Sequence, residues 1–458
     1  MIFLKFTFSI FTIIISGWVI LKLLFHPKES LPFGEIVILS FGIGTGFVGL
    51  AIFFLSFIVD FININYLLLI EVLLFIFAFF KLKNNLFSWP NLPRKQKSTY
   101  LPITIFFISI LIWEITYVFL DSLSLPFTAW DAWAQWGCRA KMFFIEKTFP
   151  FHPWTELPWL TAGHFDSPLL VPFLEAYIYF FLRQIHEPLV RVFCSFYYIG
   201  TIALFYYHLK KQFNINFVLA SCFCLATMPN FLHMASIGYM EVPLIFYVTG
   251  GILYIWRYLK EKDNSFLLLG SLFMGLGTWV KSEGLSFWVA LFLSCILICL
   301  LLKLNINKRR FLSTVSSVPL LIYSPWLIFL YIMGIKTDLF ETPFKDLINL
   351  AKERLPLILT TWIKNGSDLR QWNILWVVFI LSVIWFLIRP HEKRAMFFLF
   401  IIIFQTFFYF IIFIMWPSSL LGDIRVRILQ AVDRLILGVA PMALFFICQQ
   451  LGKKWKID

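Results

Sequence analysis

The sequence predicts an all-α, polytopic transmembrane protein, and three observations predict it. Of 458 residues, 60% are hydrophobic and only 14% are charged, against about 25% charge in an ordinary soluble domain. Runs such as "ILSFGIGTGFVGLAIFFLSFIV" (38–59) and "GLSFWVALFLSCILICLLL" (284–302) reach the ~20 apolar residues that a helix needs to cross a bilayer. Between the runs stand short loops in which basic residues gather, the bias of cytoplasmic loops. Those loops account for the net charge of +13, so the charge does not point to nucleic acid.

The first apolar stretch, "FTFSIFTIIISGWVILKLLF" (6–25), exceeds a signal-peptide core of about 7–15 residues, and no small-x-small cleavage site follows it. It reads as an uncleaved first span. The loop "KLKNNLFSWPNLPRKQK" (81–97) has five bases and no acid, which places it in the cytoplasm. Lys210–Lys211, 257–262, 303–310, 389–394 and 453–456 join it there. The loops at 60–65, 236–243 and 281–284 are poor in bases and take the outer side.

A span over 100–120 leaves the basic 81–97 loop, so 121–167 lies outside. The span over 189–207 ends inside, at Lys210–Lys211, and therefore begins outside. Consequently "PLLVPFLEAYIYFFL" (168–182) cannot cross completely; it lies in the outer interface or dips in and returns. About 13 crossings follow, with the N-terminus outside and the C-terminus in the cytoplasm. Residues 1–98 form an N-terminal three-span segment, and 99–458 form the main transmembrane domain, with long outer loops at 121–188 and 334–372. The second loop carries an amphipathic interfacial helix, with Leu347, Leu350, Ala351 and Leu355 on one face and Lys345, Lys352 and Glu353 elsewhere.

The stretch "FTAWDAWAQWGCRAKMFF" (127–144) breaks the apolar pattern. On a helical wheel Trp133, Trp136, Ala140, Phe143 and Phe144 fall on a lipid-facing side, with Trp130 at the flank. Asp131, Gln135, Cys138 and Met142 fall opposite, with Arg139 at their edge. Thr128-x-x-Asp131 is a capping-box pattern, so Asp131 either starts this helix, serves as a catalytic carboxylate at the membrane surface, or does both.

Topology places other ionisable groups at the same outer face: His164 and Asp166 in "GHFDSPLL", Glu175, Arg191, Glu241 in "GYMEVP", Lys281 and Glu283 in "WVKSEG", and Asp433–Arg434. Lys281 and Glu283 are two apart and would not face each other on one helix, so each needs a partner from another span. Arg139, Lys141, Arg191, Lys281 and Arg434, with Arg425 and Arg427, are the bases available to phosphate oxygens. The ordinary alternative for each is an interfacial anchor. His233 and the glycines 42, 44 and 46 read as packing positions. The seven cysteines show no zinc spacing, and they read as buried thiols.

The ordered segments "WDAWAQWGCRAK", "HFDSPLLVPFLEAY", "GYMEVPLIFY", "GLGTWVKSEGL" and "AVDRLILGVAP", spread over 100–441, resemble the GT-C membrane glycosyltransferases. That superfamily includes protein O-mannosyltransferases and bacterial lipid A aminoarabinose transferases. The resemblance implies a multi-pass enzyme of the cell membrane that takes a sugar from a polyprenyl-phosphate donor outside the cytoplasm. Its acceptor would be a lipid, a glycan or a protein. Asp131 matches the family's first-loop acid, the base; Glu241 falls where relatives more usually carry Asp; Lys281 and Glu283 match a K-x-E-G element. Asp131 and Glu241 are thus the catalytic candidates. The others listed at the outer face are candidates for binding substrate or phosphate. Family members divide over metal dependence, and the first loop has no DxD, so no metal or other cofactor is assigned. The rival class is a transporter or flippase, against which stand the lack of a paired repeat and of interrupted spans in corresponding halves.

Overall fold

A computed structural model describes residues 1–26, 30–83, 100–147, 166–335, 347–389, 392–416 and 424–455, and among them every regular element is helical. Helices α1 (Ile2–Leu24), α2 (Phe33–Leu55), α3 (Ile64–Leu82) and α4 (Leu101–Ser124) precede a π-helical turn, Asp131–Gly137, that runs directly into α5 (Cys138–Glu146). Then follow α6 (Leu170–Leu182), α7 (Glu187–Lys210), α8 (Ile215–Ala226), α9 (Pro229–Ile237), α10 (Glu241–Glu261), α11 (Asn264–Val280) and α12 (Glu283–Leu301). The last group is α13 (Lys308–Ile332), α14 (Leu347–Gly366), α15 (Leu369–Trp372), α16 (Leu375–Ile388), α17 (Met396–Met415) and α18 (Ile424–Leu451).

Among the described residues ten helices are long and apolar enough to cross a membrane, or eleven if α8 and α9 count as one span. Helices α11 and α16, apolar but of 17 and 14 residues, fall below that length and are not in the count. Helix α6, with 13 residues, is also short for a crossing. One apolar helix pair is sharply bent, which the apolar pattern hid. Helices α8 and α9 meet at a bend of 61°, where Pro229 cannot donate to the helical ladder. The freed carbonyls find partners: the Tyr198 hydroxyl donates to Ala226 O at 2.7 Å, and Asn373 Nδ2 donates to Thr227 O at 3.2 Å. No second bent pair answers it among the described residues.

Helix α10 is the axis of the bundle. It is buried from Glu241 to Leu259 and packs against α7, α11 and α18. Helix α2 enters the same core: the Tyr247 hydroxyl donates to Gly42 O at 2.7 Å and lies 2.6 Å from the Thr45 hydroxyl. A Cβ at Gly44 would stand 1.9 Å from Ile13 O, so the α1 and α2 backbones are in contact, as a small residue permits. The domain boundary placed at 98 falls outside the described residues.

The amphipathic helix expected in the second long loop is α14. Leu347, Leu350 and Ala351 pack with Ile358 against Phe413, Ile414 and Ile428, while Lys345 falls outside the described residues. Arg354, on the same face, is buried and donates to the α17 C-terminal carbonyls of Ile414 and Trp416 at 2.9 and 2.6 Å. A guanidinium there satisfies carbonyls that the helix itself leaves open.

A buried charge cluster fastens one end of the bundle. Arg257, near the end of α10, pairs with Glu35 of α2 at 2.9 Å, and the Tyr254 hydroxyl donates to the same carboxylate oxygen at 2.7 Å. Glu261 accepts from Arg257 Nε at 3.0 Å and lies 3.3 Å from Lys211 at the end of α7. The guanidinium carbon lies 3.7 Å from the Phe266 ring centroid.

Candidate active site at the start of α10

At the other end of α10, about 24 Å away at 1.5 Å per residue over 16 residues, a second charge cluster assembles from four separate parts of the chain. Asp131 comes from the π-helical turn, Glu241 from the first residue of α10, Lys281 and Glu283 from the α11–α12 junction, and Arg434 from α18.

The geometry forms one alternating chain of charge. The Asp131 carboxylate pairs with Arg434 Nη1. The same Nη1 lies 3.5 Å from Glu241 Oε1, which also accepts from Lys281 Nζ at 2.9 Å. Lys281 Nζ in turn lies 2.8 Å from Glu283 Oε1. Lys281 and Glu283 do face each other, contrary to the expectation from helical spacing. The reason is local: Lys281 is the C-cap of α11 with extended backbone (φ −159°, ψ 153°), so the two residues do not share a helix. Burial works against the Lys281 ammonium, but the Glu241 and Glu283 carboxylates outweigh it and hold its pKa above the ordinary lysine value.

Asp131 does not act as a helix cap. The π-helical turn begins with no side-chain hydrogen bond at its N-terminus, and the carboxylate reaches Arg434 instead. Wide i→i+5 turns recur at functional sites, and this one also changes which residues face inward. Ala132, Trp136, Arg139, Ala140 and Phe143 are buried, with Phe143 stacked on Phe173 of α6 at 4.9 Å. The face expected to meet lipid packs on protein, while Trp133 points out of it.

The segment is held from three sides. Arg191 donates to the carbonyls of Leu125, Pro126 (3.0 Å) and Ser236 (2.6 and 3.1 Å), and lies 3.7 Å from Asp121. Its donors are thus committed to joining the ends of α4 and α9, which positions Asp131 and Glu241 relative to each other. Lys141 pairs with Glu187, whose other oxygen accepts from Phe127 N at 2.9 Å. Gly238 ends α9 in the left-handed region (φ +79°), and a Cβ there would stand 2.7 Å from the Phe127 ring. A larger residue would strain the turn and push away the segment leading to Asp131.

A cleft of about 10 Å³, room for one water, is lined by Glu241, Leu244, Ile245, Lys281, Glu283, Tyr409, Arg434, Leu435 and Gly438. Its lining joins the charged Glu241, Lys281, Glu283 and Arg434 to the apolar Leu244, Ile245 and Leu435. Tyr409 escaped the sequence reading because it lies within an apolar run with no polar neighbour pattern, and Gly438, though inside the quoted "AVDRLILGVAP", carries no side chain to single out. Tyr239 lay in a quoted motif but was overlooked: its ring supports the Arg434 guanidinium, 5.4 Å from the centroid. Burial and the nearby Asp131 push its hydroxyl pKa up, so it remains a neutral donor at ordinary pH.

The other candidates stand apart from the cleft. Arg139 is buried beside the Trp136 ring at 5.3 Å; burial lowers its pKa to about 10, against the opposing effects of Asp166 and Cys138. The Asp166 carbonyl accepts from Trp326 Nε1 at 3.0 Å. Glu175 is fully buried in α6 with neither carboxyl oxygen hydrogen-bonded, an arrangement that favours its neutral form. The Asp433 carboxylate accepts from the Arg434 backbone N–H at 2.9 Å, and its carbonyl accepts from Asn230 at 3.0 Å. His164 falls outside the described residues. Among those described, no group of three or more His, Cys, Asp or Glu side chains is placed to share a metal ion: Arg434 and Lys281 stand between the three carboxylates.

Residues 166–329 match the family model described as dolichyl-phosphate-mannose-protein mannosyltransferase. The matched stretch contains Glu241, Lys281 and Glu283; Asp131 and Arg434 lie on either side of it. No curated protein matches the chain.

Proposed function

Proceeding from a membrane glycosyltransferase of the GT-C type, we propose that the Asp131 cluster transfers a sugar from a polyprenyl-phosphate donor to an acceptor hydroxyl on the extracytoplasmic face. The observation that carries this reading is the continuous chain Asp131–Arg434–Glu241–Lys281–Glu283, with Leu244, Ile245 and Leu435 lining the same cleft. A donor of this class brings an anionic phosphate, which suits Arg434 and Lys281, and an isoprenoid tail, which suits the apolar lining of Leu244, Ile245 and Leu435.

The chemistry is a single displacement. The acceptor oxygen attacks the anomeric carbon as the bond to the phosphate oxygen breaks, and Asp131 takes the hydroxyl proton. Polyprenyl phosphate leaves with the electron pair, its charge met by Arg434 and Lys281. A positioned base contributes about 10²–10⁴-fold. Glu241 touches both cations and orients them. Because Arg434 pairs with Asp131, donor phosphate competes for that guanidinium and releases the base. Donor therefore binds before acceptor, and the anomeric centre inverts.

The test is product analysis with purified protein in nanodiscs, a polyprenyl-phosphate sugar and a membrane extract as acceptor source. Release of polyprenyl phosphate with an inverted glycoside is expected. A retained anomer sinks the single displacement. An intact donor, together with substrate-driven ion uptake in sealed vesicles, favours the transporter reading, for which the bent α8–α9 pair is the supporting observation.

A further inference from the structure

The three tryptophans around Asp131 divide into two kinds. Trp136 is 3% exposed and belongs to the core, whereas Trp130 and Trp133 are 63% and 51% exposed. The two open indoles form a pair with ring centroids 5.9 Å apart and planes inclined at 58°. Asp131 lies between them in the chain, and its carboxylate remains 22% exposed at the edge of the charge cluster. Tyr239 adds a third ring at the ion pair, against the Arg434 guanidinium.

An indole face carries a negative quadrupole and attracts polarised C–H groups as well as cations. A pyranose presents such C–H groups on one face and hydroxyls around its rim. Stacked on one indole of the pair, it would direct a rim hydroxyl toward a carboxylate beside it. A serine or threonine side chain on an extended peptide has no ring face and gains little from two inclined indoles.

Resting on the transferase reading, we propose that Trp130 and Trp133 form an acceptor platform and that the acceptor is a carbohydrate hydroxyl. The competing role, anchoring in the membrane interface, predicts no dependence of acceptor affinity on these rings.

The experiment compares wild type, Trp130→Ala, Trp133→Ala and Trp133→Phe in nanodiscs, with a polyprenyl-phosphate sugar as donor. Acceptors are a series of neutral oligosaccharides and a Ser/Thr-rich peptide. Transfer to an oligosaccharide is expected, with its KM raised about three- to tenfold in Trp133→Ala, largely restored in Trp133→Phe, and with the change confined to the acceptor KM. Transfer to the peptide alone, or an oligosaccharide KM equal in all four proteins, overturns the platform. Saturation-transfer NMR of the same oligosaccharides separates this proposal from the reaction itself. A wild type that leaves the donor intact defeats the transferase reading, while oligosaccharide signals lost in Trp133→Ala uphold the platform and their absence in wild type overturns it.

Discussion

Helix α10 ends in charge at both of its termini, yet the two clusters are built differently. At the Glu35 end, Glu35 and Arg257 are 1% and 4% exposed, and the carboxylate has one guanidinium and one phenol as fixed partners. At the Asp131 end, Asp131 and Arg434 are 22% and 19% exposed, and each cation bridges two carboxylates through one atom: Arg434 Nη1 joins Asp131 to Glu241, and Lys281 Nζ joins Glu241 to Glu283. A buried pair resists exchange, because removing either member strands a charge. A shared, half-open pair can hand one partner to an incoming anion. Residue types alone would not separate a lock from a site; exposure does.

The sharpest way to break the comparison is Asp131→Asn. Turnover should fall by about 10²–10⁴-fold with the melting temperature nearly unchanged, measured by product release and by thermal unfolding on one preparation. The mirror experiment is Glu35→Ala, which should destabilise the protein by about 3–5 kcal/mol because Arg257 is left buried without its main partner. Pairing Glu35→Leu with Arg257→Met should return most of that loss, and denaturation in detergent or nanodiscs would check it.

Lys281→Met sits next in size, with donor KM raised about tenfold through loss of one phosphate contact. Its pH dependence has a definite sign. The folded-state pKa lies above the ordinary 10.5, so the ammonium and its contribution to stability are complete below 10.5 and are lost only as pH rises through the higher folded value. Donor KM measured from about pH 7 to 10 should therefore show no step attributable to Lys281. A step in that interval which disappears in Lys281→Met would contradict the pairing with Glu241 and Glu283. Smallest of all is Tyr409→Phe, which removes one hydroxyl from the cleft and should cost about 1 kcal/mol, or a few-fold in kcat/KM.

The membrane class, the amphipathic α14 and the shortness of α6 were legible because apolar run length and periodicity report directly on helices and their buried faces. The company of Asp131, Glu241, Lys281, Glu283 and Arg434 was also legible, since topology alone put them on one face. What escaped was conformational. A π-helical turn altered the inward face of 131–143, and an extended Lys281 made a pair that helical spacing forbids. Pro229 broke a span whose composition looked continuous. Arg191 was read as a phosphate ligand, whereas its donors meet carbonyls, and no charge pattern reports where a backbone carbonyl will lie. Tyr409 gave no signal because a tyrosine in "FFYFIIF" is also what a lipid-facing helix contains.

The most direct measurement of the central claim sets Asp131→Asn against Glu35→Gln in a single assay of polyprenyl phosphate release, each normalised to folded protein. The predicted result is release at least about 100-fold below wild type for Asp131→Asn and near wild type for whatever fraction of Glu35→Gln remains folded. Equal release by Asp131→Asn and wild type would contradict the assignment of the Asp131 end as the site of transfer.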